Sequence, residues 1–140
     1  TVFGDAQRLR QLMLLLLDNA VRYSLPGGQV RWRAAVRDGF VELVVTDHGI
    51  GIPPDELPQV FERHFRGTLA RRHRASGSGL GLPIARALAL AHGGTLDITS
   101  SPAPAGDGSR TRATLRLPVW HGAEASTDSP GTSLSADIHP

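Results

Sequence analysis

Residues 75–94 read ASGSGLGLPIARALALAHGG, three glycines spaced two apart and then an apolar helical run. No other stretch limits the fold so sharply. Gly77, Gly79 and Gly81 make a loop with accessible backbone N–H groups, and a helix N-terminus follows directly. Together these form a general anion site. A dinucleotide fingerprint instead needs G-x-G-x-x-G straight after a strand, inside a parallel βαβ unit. Here the spacing is G-x-G-x-G, an arginine-rich loop precedes it, and the helix runs into "TLDITS" and "TRATLRLP", which read as a hairpin. The dehydrogenase reading fails on that context, and helices laid on a largely antiparallel sheet remain.

The rest of the chain fits the same plan. Residues 4–24 read as a helix, with Leu9, Leu12, Met13, Leu16, Leu17 and Ala20 on one face, Asp5 as N-cap and "LPGG" as the stop. "VRWRAAV" at 30–36 and "FVELVVT" at 40–46 are strands, joined by the hairpin signal Asp38-Gly39. Residues 47–54 read as a turn, 54–65 as a short helix starting near a proline, and 66–79 as a mobile loop without period. The helix at 82–92 carries Pro83 in its first turn and ends at Gly93-Gly94. "SPAPAGDGSR" is a flexible connection between the last two strands. From His121 to Pro140 the chain is poor in apolar residues and reads as a disordered tail or linker. The expectation is one α+β domain over residues 1–120, a two-layer sandwich with helices on one face of a mixed, mainly antiparallel sheet.

Composition narrows the function. There is no cysteine, hence no thiolate zinc site, and the longest apolar run, "LMLLLL", is too short to span a membrane. All fifteen basic residues are arginine, which raises the isoelectric point although the formal charge is only +2. Thr1 in place of methionine points to a piece of a longer protein. "RHFRGTLARRHR" at 63–74 concentrates five arginines without an acid, but lacks the aromatic interleaving of single-strand binders, so a phosphate-rich small ligand is preferred to nucleic acid.

Three further clusters carry chemistry. In "VVTDHGIGIP", Asp47 closes a strand and is followed by Gly49 and Gly51. Its carboxylate is an acceptor seeking a donor, such as the exocyclic amine of adenine, and glycine lets a flat ring approach the backbone. For an isolated D-x-G-x-G, a tight turn with an Asx hydrogen bond is the favoured reading. In "LLDNAVRYS", Asn19 lies at the margin of the apolar face, where its carbonyl can ligate Mg²⁺ or simply satisfy local hydrogen bonds. In "VFERHFRG", Phe61 and Phe65 are packing residues that anchor the loop start, with Arg66 beyond them.

In this order the four clusters resemble the asparagine, first glycine, phenylalanine and second glycine boxes of the ATP-binding catalytic domain of sensor histidine kinases. That domain has the Bergerat fold shared with DNA gyrase, MutL and a heat-shock chaperone, and the likeness runs from about Asp5 to Pro118. It implies binding of ATP and Mg²⁺. Asn19 would be the metal ligand, Arg22 would reach phosphate oxygens and Tyr23 would border the nucleotide. Asp47 would accept the adenine amine in a pocket shaped by Gly49, Gly51 and Ile52, with Thr111 supporting it. Residues 66–81 would form a lid, with Arg66, Gly77, Ser78, Gly79, Leu80 and Gly81 on the phosphates and charge from the arginines at 71, 72 and 74. The implied activity is a protein-histidine kinase that donates the γ-phosphoryl group to a histidine on an upstream dimerisation domain of the same protein, with a response regulator as further partner. None of the six histidines here has the acceptor context, and no catalytic residue is assigned. The implied setting is a cytoplasmic domain of a parent anchored in the bacterial inner membrane, without membrane contact of its own.

Some positions depart from the family pattern. Leu15 stands where a second asparagine is usual and where the gyrase-like branch has a water-activating glutamate, so hydrolysis should be slow. Arg110 and Ala113 replace a common glycine and phenylalanine. His48 and His64 are taken as spacers. The rivals are an anti-sigma-type serine kinase on the same fold, opposed by "VFERHFRG", and a degenerate nucleotide-binding scaffold, opposed by Asn19, Asp47 and the glycines.

Overall fold

The computed structural model describes residues 1–72, 78–102, 108–122 and 134–138. Helix α1 spans Ala6–Tyr23, with Asp5 capping it by accepting from the amides of Gln7 and Arg8 at 2.9 and 3.1 Å. Strands β1 (Val30–Arg37) and β2 (Phe40–Gly49) form the expected hairpin, with Asp38 and Gly39 both at positive φ as a tight primed turn requires. Then come a 3₁₀ turn at Leu57–Gln59, the short helix α2 (Thr68–Arg72), helix α3 (Gly81–Ala91), and strands β3 (Thr95–Pro102), β4 (Ser109–Pro118) and β5 (Leu134–Ile138).

Among the described residues the sheet runs β3-β4-β2-β1-β5, and each neighbouring pair is antiparallel. The α+β sandwich stands as expected; the parallel component anticipated for a mixed sheet is not among these pairs. Alternation sends Leu43 and Val45 of β2 to one face, where they meet Leu12, Leu16 and Ala20 of α1 and Ala85 and Ala89 of α3. The opposite face carries Arg31, Arg33, Arg112 and Thr46, and Arg116 lies 4.7 Å over the Phe40 ring. No described helix is long and apolar enough to cross a membrane.

Several local expectations change. Met13 is 40 % exposed, because the buried stripe of α1 is centred on Leu12, Leu16 and Ala20. Strand β2 continues through Gly49, so Asp47 sits inside it, paired on both sides. The helix expected over 54–65 is only a 3₁₀ turn with i→i+3 bonds, since Pro58 has no N–H to give. The period-free loop expected over 66–79 instead contains α2, whose first amide, that of Thr68, is held by Glu56. In the supposed disordered tail, Leu134–Ile138 pairs along β1, and Asp137 meets Arg31 at 3.3 Å. The free ladder groups of β1 supply what that polar segment lacks in apolar area.

The two main helices are also fastened at one end. The Asp5 amide donates to His92 Nε2 at 3.2 Å, which places the ring proton on Nδ1, and that N–H donates to the Leu88 carbonyl at 2.7 Å. The start of α1 is thereby tied to the end of α3.

Candidate functional site

A cavity of about 360 Å³ opens between the C-terminal half of α1, the end of β2, the 50–70 segment and the first turn of α3. That size lies in the range of small-ligand pockets. Asn19, Arg22, Tyr23, Asp47, Gly51, Ile52, Arg66, Ser78, Gly79, Leu80, Gly81 and Thr111, singled out in the sequence from widely separated motifs, all line it. Gly49 is buried just behind the wall, where a side chain would collide with the Tyr23 carbonyl and the Asp47 carboxylate. Gly77 and Arg74 lie outside the described residues.

Asp47 forms the floor. It pairs with Val30 on β1 and Thr111 on β4 and is 4 % exposed. Its Oδ1 is buried with no hydrogen-bond partner among the described residues. Burial without compensation raises its pKa from 3.8 to about 7. A carboxylate so placed demands a donor from a ligand. The support expected from Thr111 is indirect. Its hydroxyl is 3.0 Å from that of Ser100, which in turn accepts the Ile52 amide at 3.0 Å. The pair thus holds the backbone at Ile52, on the cavity wall. Ser100 was not foreseen, although its position opposite Thr111 on β3 follows once the register is known.

The other walls set the polarity. Arg22 donates to Asp18 at 2.7 Å, one helical turn back, so this guanidinium is held at the cavity rim. Arg66 is half-buried and also lines the cavity. Leu15 lines the wall and reaches toward Gly81. Glu56, likewise unforeseen, accepts from the Thr68 amide at 3.1 Å and in a short contact from its hydroxyl, which anchors α2 at the rim. The two histidines read as spacers are half-buried (His48) and exposed (His64), as expected, and both have partners: His48 Nε2 accepts from Arg110 Nε at 2.8 Å, and His64 Nδ1 donates to the Ser78 carbonyl at 3.1 Å. The site thus pairs a buried acceptor among apolar walls with a rim of arginine and glycine backbone. That arrangement suits a flat, donor-bearing ring at one end and an anion at the other.

A family model described as histidine kinase-, DNA gyrase B- and HSP90-like ATPase matches residues 4–121. The chain is 48 % identical over 118 residues to the signal transduction histidine-protein kinase/phosphatase MprB of Mycolicibacterium vanbaalenii, covering 84 % of this chain and 24 % of that protein. It is 39 % identical over 121 residues to the sensor histidine kinase YkoH of Bacillus subtilis, covering 86 % and 25 %. It spans about a quarter of the length of these curated relatives. Among solved structures, a mycobacterial sensor histidine kinase MprB is similar with TM-score 0.75 and 44 % identity over 84 % of this chain and 76 % of that one. Full-length ShkA in complex with AMPPNP is similar with TM-score 0.67 and 31 % identity over 84 % and 23 %.

Proposed function

This chain belongs to the histidine kinase-, DNA gyrase B- and HSP90-like ATPase family, and from that premise we propose that it binds ATP with Mg²⁺ as the catalytic domain of a sensor histidine kinase. The single observation that carries the reading is the orphaned acceptor of Asp47 at the floor of the cavity. The exocyclic amine of adenine is the donor it lacks. Gly51, Ile52 and Tyr23 border the ring, and Arg22, Arg66 and the loop from Ser78 to Gly81 face the phosphate side. The likeness to full-length ShkA in complex with AMPPNP supports the same ligand class.

The Mg²⁺ assignment rests on donor chemistry. Asn19 offers an amide oxygen at the wall, beside Asp18, which is engaged by Arg22. Mg²⁺ takes few protein ligands when water and phosphate supply the rest, and a single asparagine fits that habit.

Bound ATP would supply the transferable γ-phosphoryl group, and Mg²⁺ would offset phosphate charge. The chain's own residues position and neutralise: Asp47 orients the base, and Arg22 and Arg66 offset phosphate charge, which is how phosphoryl transfer is promoted. Leu15 is apolar and holds no water ready for attack, so transfer to an acceptor is favoured over hydrolysis. The acceptor is a histidine on a separate dimerisation domain of the parent protein, and a response regulator then receives the group. The parent is a membrane-anchored sensor with this domain in the cytoplasm.

Calorimetric titration with a non-hydrolysable ATP analogue, with and without Mg²⁺, tests the ligand. Magnesium-assisted binding that is lost in Asp47→Ala, with no response to NAD, is the expected outcome. A folded chain that does not bind the analogue refutes the proposal.

A further inference from the structure

His64 occupies an unusual backbone position. Its φ is +61°, in the left-handed region that non-glycine residues seldom enter. From there it makes two hydrogen bonds to one short stretch of the glycine loop. Its main-chain N–H donates to the Gly79 carbonyl at 3.0 Å, and its ring Nδ1–H donates to the Ser78 carbonyl at 3.1 Å. Gly79, at φ +71°, permits this approach, since a side chain there would fall on the His64 backbone.

The consequence follows from peptide planarity. In a trans peptide the carbonyl of one residue and the N–H of the next point in opposite directions. With the Ser78 and Gly79 carbonyls both drawn toward His64, the N–H groups of Gly79 and Leu80 are turned the other way. Both residues line the cavity just before the N-terminus of α3. We infer that His64 is a positioning residue that aims the Gly79 and Leu80 amides at an anion in the cavity. It never touches the ligand; it selects which side of two peptide planes the ligand meets. The inference rests on the ATP reading for the identity of that anion.

The test compares two ligands and two variants of the 140-residue chain by NMR titration. His64→Gly tolerates the left-handed backbone and keeps the main-chain bond, but removes the ring donor. His64→Asn also tolerates that backbone and returns an N–H at the same covalent distance from Cα. The expected result is an affinity for a non-hydrolysable ATP analogue with Mg²⁺ that falls about fivefold in His64→Gly, the size of one hydrogen bond. Adenosine, which has no phosphate, binds the variant as it binds the wild type, and His64→Asn restores the analogue to within about twofold. Equal losses for both ligands, no loss for either, or an analogue-specific loss that His64→Asn does not restore would each overturn the inference. Wild-type chain that binds neither ligand would instead remove the ATP reading, and this inference with it.

Discussion

Asp47→Asn should gain stability relative to the unliganded wild type as pH rises. The buried carboxyl titrates at about 7 in the folded chain against 3.8 as its ordinary value. Between those values the folded state keeps a proton that the unfolded state has lost. Stability therefore falls as pH rises through the interval, by about 1.4 kcal/mol per pH unit. Below it both states are protonated and nothing is lost; above it both are ionised and the full cost, about 4 kcal/mol, stays constant. Asparagine has the same shape and does not titrate. Its own imperfect hydrogen bonding shifts its stability by a fixed offset, so the informative quantity is the slope. Urea unfolding followed by circular dichroism, from about pH 4 to about pH 8, should show the variant-minus-wild-type difference widening by about 4 kcal/mol and levelling off near neutrality. Parallel curves would mean that Asp47 already has a partner in solution, and the orphaned acceptor would lose its meaning as a ligand signal.

Two structural predictions follow from the packing. Leu16→Ala should cost about 3 kcal/mol in the same unfolding assay, because the side chain is 1 % exposed at the centre of the α1 stripe, whereas Met13→Ala, at an exposed neighbour, should cost far less. Comparable losses at both sites would refute the orientation of α1. Asp5→Ala should cost about 1 kcal/mol through the loss of two capped amides, and Asp5→Ser should recover most of it.

What could be read from the sequence was what local chemistry specifies. The cap at Asp5, the turn at Asp38-Gly39 and the apolar stripe of α1 each depend on residues a few positions apart. The boxes around Asn19, Asp47 and Gly79 were legible for a related reason: each needs particular residue types at fixed short spacing. Contacts between distant segments were not legible. Ser100 reaches Ile52 across 48 positions and Glu56 reaches Thr68 across 12, and neither pairing has a local signal. His64 read as a spacer because its bonds to the glycine loop depend on a backbone angle, which composition does not report. β5 was hidden for yet another reason. A strand that adds to an existing edge needs little apolar content of its own, so its polar sequence resembled a tail.

The His92 tie gives the helical layer a mechanical character. At one end the His92 imidazole links the start of α1 to the end of α3, and at the other the C-terminal half of α1 and the first turn of α3 both line the cavity. Between those ends Leu12 and Leu16 pack against Ala85 and Ala89, so the two rods form one close-packed plate whose far edge is a cavity wall. With 11 residues, α3 is about 16 Å long. A change at His92 therefore reaches the cavity only through about three turns of packed helix.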